Sequence, residues 1–350
     1  MKGKILCLVL GLLLLTGCGA DDSEKKVDPL VNLSETHRVI IDTDTAGDDS
    51  LAIMIAAKAP NVTIEGVTVL ARNVPLDQAA NNALMSLETV DCEAEVYLGA
   101  KKSLDGVERE TFSVYGDDGM GDADLVHPKR TASDIPAVDF ILETVRNNPG
   151  EIEIVTLGPV TNIAMAIKRD PVTMAKVKRV WSMGTTGLGH GNATPVAEFN
   201  VYKDAKAYKM LLDSGIAMTV VGLDLCERED ALFSAEQLDE MNQGNHVQKF
   251  ASLAFGKLLT FRQQTQGVDN VDICDALMMS HLIWSDITTK SVMCNASCVA
   301  ERGETYGEVI FYRSDMIYDT MPQLGDPHVT LVTEQKVGDL YDRINAMITS

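Results

Sequence analysis

The 350-residue chain is poor in positive charge, in aromatic residues and in paired cysteine motifs. It carries 30 lysines and arginines against 51 aspartates and glutamates, which gives a formal net charge of −21. We expect such a chain to avoid nucleic acid, because phosphate binding depends on lysine and arginine. No Cys-x-x-Cys pair occurs, so neither a zinc ribbon nor a full disulfide framework is indicated. Cys294 and Cys298 could still form a single disulfide in an oxidising compartment.

The apolar run at the start of the chain, Ile5 to Leu15, is too short to span a bilayer comfortably. Two lysines precede it and Leu-Thr-Gly-Cys18 ends it, an order typical of a bacterial export signal. The four residues match the bacterial lipoprotein box, whose cysteine becomes the lipidated first residue of the mature protein. We therefore expect a signal peptide over 1–17, a membrane anchor at Cys18 and a flexible tether over 18–36. The expected location is the bacterial cell envelope, on the periplasmic face or the cell surface.

Beyond the tether, strand-like apolar runs alternate with helical patterns, which predicts a single α/β domain over residues 37–350. The alternation favours an open, mainly parallel sheet with flanking helices. Residues 230–285 are predicted to form a largely helical insertion with one long helical stretch over 246–266. The Gly- and Asp-rich connection over 99–134 is long enough to suggest a functional role. The predicted strands cover 39–41, 64–70, 94–98, 152–157, 177–183, 217–223, 307–312 and 329–332.

Four carboxylates, from Asp42, Asp44, Asp48 and Asp49, follow the first predicted strand and lead into a helix. Ligands bind beyond the carboxyl ends of parallel strands, which is where this turn would lie. A solvated acidic turn that caps a helix needs only one aspartate. Four carboxylates repel one another unless a cation lies among them, and oxygen ligands suit a hard ion such as Ca²⁺ or Mg²⁺. We interpret the stretch as a metal site.

Three further segments carry polar or turn-forming residues at predicted strand ends or helix starts. Leu157-Gly-Pro-Val-Thr-Asn162 would expose main-chain carbonyls at a turn, although an ordinary helix cap would look the same. A glycine-rich loop holds Asn192, Glu198 and Asn200, spaced to contact a polyhydroxyl group such as a sugar. Asp275 opens an apolar helix, where N-capping is the alternative to metal binding.

Together these segments resemble the inosine-uridine preferring nucleoside hydrolases. The resemblance spans roughly residues 37–345 and is carried by Asp42-x-Asp-Thr-Ala-x-Asp-Asp49, by the Leu-Gly-Pro-Val-Thr-Asn turn, by the Glu198-Phe-Asn200 loop and by Cys274-Asp275. It implies the Rossmann-like fold of that family and Ca²⁺-dependent hydrolysis of the N-glycosidic bond of ribonucleosides. It also implies a homo-oligomer, a dimer or a tetramer.

The resemblance assigns roles to individual residues. Asp44 would deprotonate the attacking water, and Asp42 would support the metal ligands from behind. The implied Ca²⁺ ligands are Asp44, Asp49, the main-chain carbonyl of Leu157, and Asp275. The residues implied to hold the ribose are Asp48, Asn73, Asn192, Glu198 and Asn200.

Cys274 departs from the best-known members, which have a histidine there that assists the leaving base. A less-studied branch of the family resembles this chain in having a cysteine, so Cys274 stays a candidate catalytic residue. A thiol is a weaker acid than an imidazolium at neutral pH, so a cysteine would protonate the leaving base less readily than a histidine. Tyr115, His190 and Arg262 are alternative candidates, and the base specificity is left open.

Two other interpretations compete with a nucleoside hydrolase. A phosphatase of the haloacid-dehalogenase type also begins with a strand and Asp-x-Asp, but its motif expects Thr or Val where this chain has Ala46. A lipid-anchored riboside-binding protein without turnover would keep the sugar and metal site. It would not need a base such as Asp44 beside the water.

Overall fold

The computed structural model describes residues 27–106, 113–320 and 325–350, so the predicted signal peptide and Cys18 lie outside the described residues. Its strands are β1 His37–Thr43, β2 Val62–Val69, β3 Val96–Leu98, β4 Ile152–Thr156, β5 Arg179–Met183, β6 Met218–Val221, β7 Phe233–Ser234, β8 Asn270–Val271, β9 Thr288–Cys298, β10 Val309–Arg313 and β11 Val329–Gln335. Its helices are α1 Gly47–Lys58, α2 Leu76–Thr89, α3 Ala137–Asn147, α4 Thr161–Arg169, α5 Pro171–Met174, α6 Phe199–Lys203, α7 Ala205–Asp213, α8 Leu223–Cys226, α9 Ala235–Asn242, α10 His246–Ala254, α11 Gly256–Gln266, α12 Cys274–Ile283 and α13 Leu340–Ile348.

A mainly parallel sheet forms the centre of the described chain. Nine strands follow the order β10-β9-β11-β6-β5-β4-β1-β2-β3. All pairs from β3 to β11 along this order are parallel, whereas β9 pairs antiparallel with β10 and β11. The predicted α/β class is therefore confirmed.

Helices cover both faces of the sheet because strand side chains alternate between the faces. On β1, Val39 and Ile41 join a core with α1, α2, α10, α12 and α13, and Ile40 joins the opposite core with α3, α4 and α7. All three side chains are fully buried. With both faces covered, β1 is a continuous apolar strand, as the sequence predicts.

The parallel arrangement brings several chain segments to one edge. β1, β4 and β5 run in the same direction, so the residues after Thr43, Thr156 and Met183 meet at their carboxyl ends. Helix α12 packs against α1 and brings its first turn to the same place. The four motif-bearing segments therefore converge, although they are spread over more than 200 residues of sequence.

The structure differs from the sequence prediction in two elements of the second half. The stretch over 246–266 forms two helices, α10 and α11, with a break at Phe255. Strand β9, eleven residues long, is not predicted because its residues are mostly polar or small: Thr-Thr-Lys-Ser-Val-Met-Cys-Asn-Ala-Ser-Cys. Its apolar side chains pack on one face only, so no apolar run marks it.

The described part of the predicted tether, residues 27–36, lies against the core. The Trp284 indole donates to the carbonyl of Pro29 at 2.8 Å, and the backbone N–H of Ser34 donates to Ile283 at 2.8 Å. Buried partners hold this segment, which differs from the flexible tether expected from composition. Among the described residues, no helix has the length and apolarity to cross a membrane.

Cys294 and Cys298 are free, buried thiols. They lie four residues apart on β9. At about 3.3 Å per residue, their α-carbons are roughly 13 Å apart, far beyond disulfide reach. The Cys294 thiol donates to the carbonyl of Val292 and that of Cys298 to Ala205. The considered disulfide is therefore excluded by the strand geometry.

Candidate functional site

The acidic stretch after β1 is buried at the junction of β1 and α1. Asp42 is the last-but-one residue of β1, Asp44 follows the strand, and Asp48 and Asp49 occupy the first turn of α1. A helix N-terminus favours negative charge, because its first N–H groups and its dipole point toward that end. All four side chains are at most 7% exposed. The stretch is therefore a buried anionic site and not a solvated turn.

Asp42 is held by polar side chains of neighbouring segments. One carboxylate oxygen accepts hydrogen bonds from Thr68 at 2.5 Å and from Asn162 at 2.8 Å. Asn162 also accepts from the backbone N–H of Ala100. Asn162 is thus a buried link between three strand ends, whereas the sequence left open whether this segment is an ordinary helix cap.

Asp44 has one satisfied and one unsatisfied oxygen. Its Oδ2 accepts from the backbone N–H of Asn73 at 2.8 Å, and its buried Oδ1 has no hydrogen-bond partner. A Cβ at Gly158 would lie 2.2 Å from this Oδ1, so only glycine permits the β4 turn to approach so closely. A buried carboxylate oxygen without a donor is unfavourable unless a water or a cation meets it.

Asp48, Asp49 and Asp275 form a compact group of carboxylates. One oxygen of each lies within 4.8 Å of the other two, a spacing that could hold a metal ion. Asp49 is fixed by the Thr43 hydroxyl at 2.5 Å and by the backbone N–H of Ala46 at 2.9 Å. Asp48, which the family resemblance assigns to the sugar, thus stands among the potential metal ligands.

The electrostatics of this group favour a cation. Burial, with repulsion from Asp48, raises the pKa of Asp44 to about 7, and burial, with repulsion from Asp272, raises that of Asp48 to about 6. Burial and the neighbouring carboxylates also raise the pKa values of Asp49 and Asp275 well above the usual range. A divalent cation would remove this repulsion and satisfy the free oxygen of Asp44. The residues present therefore fit a hard ion bound by oxygen atoms.

The loop residues Glu198 and Asn200 lie close to the carboxylates, and both make hydrogen bonds to the backbone. Asn200 donates from its amide to the Leu157 carbonyl at 2.9 Å. Glu198 caps α6 by accepting the N–H groups of Asn200 and Val201, and it also accepts that of Thr185. Asn200 therefore fixes the loop on the β4 turn and Glu198 fixes it to Thr185 after β5, and their predicted sugar contacts would come in addition.

A cleft of about 610 Å³ opens above the carboxylates. That size suits a small-molecule ligand. All predicted sugar ligands line it, with Asn192 on the exposed rim. The predicted metal ligands Leu157 and Asp275 line it as well, whereas the fully buried Asp42, Asp44 and Asp49 are not among its lining residues. The sugar-side lining residues are Asp48, Asn73, Asn192, Glu198 and Asn200.

Three of the four candidates for assisting a leaving group, Tyr115, Arg262 and Cys274, line the cleft. The Cys274 thiol is hydrogen-bonded to that of Cys226, a neighbour that the sequence spacing gives no means to predict. Tyr115 is buried and hydrogen-bonded to Asp48. Arg262 lines the cleft, whereas the His190 side chain is 74% exposed and faces Glu227 at 3.5 Å.

A family model described as "Inosine-uridine preferring nucleoside hydrolase" matches residues 39–342. The chain belongs to this family. The match covers both the acidic stretch and Asp275, and it excludes the haloacid-dehalogenase alternative. The matched range also includes Tyr115, which belongs to the long 99–134 connection that the sequence analysis singles out by its length alone.

Named relatives of the family agree with this assignment. Uridine nucleosidase 1 of Arabidopsis thaliana is 32% identical over 277 residues, 78% of this chain and 81% of the relative. The pyrimidine-specific ribonucleoside hydrolase RihB of Escherichia coli O157:H7 is 29% identical and covers 85% of this chain and 92% of its own. A solved plant nucleoside hydrolase superposes with a TM-score of 0.83 at 26% identity, over 90% of this chain and 99% of that chain. The chain is thus an enzyme of the nucleoside hydrolase type.

Proposed function

We propose that the protein hydrolyses the N-glycosidic bond of ribonucleosides to ribose and free base, with Ca²⁺ as its metal. One observation carries the proposal: the buried carboxylates of Asp48, Asp49 and Asp275 converge close to Asp44, and Asp48 and Asp275 line a cleft together with polar loop residues. The relatives named as uridine nucleosidase and pyrimidine-specific ribonucleoside hydrolase support ribonucleosides as the substrate class.

The proposed metal ligands are oxygen atoms only. Asp44, Asp49, Asp275 and the Leu157 carbonyl would hold the ion, and the position of Asp48 allows it to join them. Ca²⁺ accepts six to eight such oxygens in a flexible geometry, whereas Mg²⁺ demands a stricter octahedron. Bound there, Ca²⁺ would hold the ribose hydroxyls and lower the pKa of a water molecule.

The protein residues supply the base and the positioning. Asp44 is a buried carboxylate next to the proposed ion, and its Oδ1 accepts no hydrogen bond from the described residues, so it is placed to take a proton from the attacking water. That water adds to C1′ of the ribose as the bond to the base breaks. Asp48 and the cleft residues Asn73, Asn192, Glu198 and Asn200 would hold the sugar so that C1′ lies beside the water.

We also propose that the mature protein is a lipoprotein of the bacterial cell envelope, anchored through Cys18, and that it forms a homo-oligomer. The lipoprotein box and the charged, apolar start of the chain support the anchor. Partition of the full-length protein into detergent, lost in Cys18→Ser, tests the anchor. Sedimentation of the soluble part tests the oligomer.

The hydrolase is tested by a reducing-sugar assay with a panel of purine and pyrimidine ribonucleosides. The assay is run with Ca²⁺, with a chelator, and with Asp44→Ala. We expect ribose release that the chelator and the variant both abolish. Binding of ribosides without any release would instead identify a binding protein.

A further inference from the structure

The cysteine that lines the cleft has a second cysteine beside it. Cys274 is the first residue of α12 and belongs to the cleft lining, whereas Cys226 is the last residue of α8 and is only 1% exposed. Helices α8 and α12 pack against each other. The Cys226 thiol donates to the carbonyl of Gly222 at 3.5 Å, and the Cys274 thiol is hydrogen-bonded to Cys226. The two sulfur atoms therefore lie side by side, next to the cleft.

This pair differs from the other buried cysteines of the described chain. Cys294 and Cys298 lie in the core on the opposite face of the sheet from Cys226, and their thiols donate to backbone carbonyls. In contrast, Cys226 and Cys274 come from two segments that meet, and their thiols contact each other. A disulfide bond is about 2 Å long, so two sulfur atoms that already touch need only a small movement to form one.

We propose that Cys226 and Cys274 form a disulfide in the exported protein, and that this bond holds the first turn of α12, with Asp275, against α8. Disulfides form and persist outside the cytoplasm, so the inference rests on the proposed envelope location for its setting and on the proposed metal site for its effect. Cys226 is too buried for an oxidant to reach in the folded chain, so the bond forms while the chain folds.

The oxidation requires an acceptor of two electrons, and a small disulfide such as oxidised glutathione is sufficient. One protein thiol, as its thiolate, attacks the reagent, forms a mixed disulfide and releases one glutathione thiolate. The second protein thiolate then displaces the other glutathione and completes the bond between Cys226 and Cys274. Two protein thiols are oxidised and one glutathione disulfide is reduced, and the two thiol protons pass to the two released glutathione thiolates.

The disulfide would act on the site through Asp275, the residue that follows Cys274. Carboxylate oxygens of Asp48, Asp49 and Asp275 lie within 4.8 Å of one another, and without a cation these groups repel. The repulsion pushes the first turn of α12 away from α1, and a covalent link to α8 opposes that movement. In the oxidised chain Cys274 has no thiol hydrogen, so it cannot protonate a leaving base.

The test compares two preparations of the full-length chain, unfolded and then refolded either with a mixture of oxidised and reduced glutathione or with a phosphine reductant. We expect peptide mapping of the first preparation, after alkylation of its free thiols, to recover Cys226 joined to Cys274. Its thermal midpoint without metal should lie about 5–10 °C above that of the reduced preparation, because the bond closes a loop of roughly 50 residues. Its affinity for Ca²⁺, measured by calorimetric titration, should be about tenfold higher.

Cys226→Ala should remove the difference in thermal midpoint between the two preparations. The matched control is Cys92→Ala, which changes a partly buried cysteine that follows α2 and should keep the difference. Free thiols at both Cys226 and Cys274 after refolding with glutathione, or equal midpoints of the two wild-type preparations, would overturn the proposal. Equal Ca²⁺ affinities would overturn the claim that the bond holds Asp275. A wild type that binds no Ca²⁺ in either preparation would instead contradict the proposed metal site, while the mapping and the midpoints still decide the disulfide.

Discussion

Buried carboxyl groups lie at both ends of β1, but their surroundings shift their pKa values in opposite directions. At the amino end, Glu153 of β4 accepts hydrogen bonds from His37 at 3.1 Å, from Lys178 at 2.7 Å and from Trp181 at 2.5 Å. Burial alone would raise the pKa of Glu153, but these donors hold it at about 2. At the carboxyl end, burial raises the pKa of Asp44 to about 7.

The difference distinguishes a structural acid from a functional one. Both ends contain three groups close enough to ligate a metal, Glu35-His37-Glu153 and Asp48-Asp49-Asp275. The amino end has its own cation, Lys178, and needs no ion. The carboxyl end has a free oxygen on Asp44 and mutual repulsion, so it is unfavourable without a cation. At the carboxyl end the charge of Arg72 lowers the pKa of Asp44, but burial and Asp48 outweigh it. A cluster of acids therefore indicates a metal when the protein's own counter-charge does not offset the repulsion.

Removing the base at the carboxyl end should have the largest effect. We expect Asp44→Asn to lower kcat for ribonucleosides by about 10²–10⁴-fold, because it removes a general base. The thermal midpoint of the metal-free protein should stay or rise, since a repelling charge is lost. Steady-state kinetics and calorimetry measure the two effects. Activity within tenfold of the wild type would contradict the role of Asp44.

Replacing the carboxylate at the amino end by an amide should lower stability without changing catalytic activity. We expect Glu153→Gln to lower the free energy of unfolding at pH 7 by about 2 kcal/mol. This is less than for a fully buried pair, because Lys178 is partly exposed. Activity of the folded variant should be unchanged. Glu35→Gln, at a carboxylate whose side chain is 71% exposed, is the matched control with an effect below about 1 kcal/mol.

The low pKa of Glu153 also gives a pH dependence. Because the folded pKa of about 2 lies below the ordinary 4.5, the ionised group stabilises the fold above pH 4.5. This contribution is lost as the pH falls from about 4.5 toward 2. Denaturant unfolding across this pH range should show a decrease in the free energy of unfolding of the wild type that is absent from Glu153→Gln. Parallel curves for the two proteins would contradict the assignment.

A smaller effect is expected when a support of the carboxyl end is removed. Asn162→Ala deletes a donor to Asp42, and we expect Ca²⁺ affinity to fall about tenfold. Asn61→Ala is the matched control, because Asn61 is a buried asparagine of the amino end that donates to the carbonyl of Ile283. It should lower stability and leave Ca²⁺ affinity unchanged. Equal affinities for all three proteins in a Ca²⁺ titration would show that Asn162 does not support the site.

The sequence predicts local features of this site well and long-range ones poorly. A strand, an acidic turn and a helix are encoded by neighbouring residues, so β1, α1 and their aspartates are found from their pattern. The proximity of Asp275 follows only from the family resemblance, because it depends on how α12 packs against α1. The Cys226–Cys274 contact and the roles of Glu198 and Asn162 depend on several segments meeting, which no spacing reveals. Strand β9 lacks an apolar run, so the sequence pattern does not predict it.

Calorimetric titration of the metal-stripped protein with Ca²⁺ tests the central contrast most directly. We expect one ion per chain in the wild type and in Glu153→Gln, and none in Asp49→Asn, whose carboxylate belongs to the carboxyl-end group. The wild type should also gain about 2.7 kcal/mol of stability at a hundredfold excess of Ca²⁺ over its dissociation constant. An ion that survives Asp49→Asn but is lost in Glu153→Gln would contradict the account, because it would place the metal at the amino end.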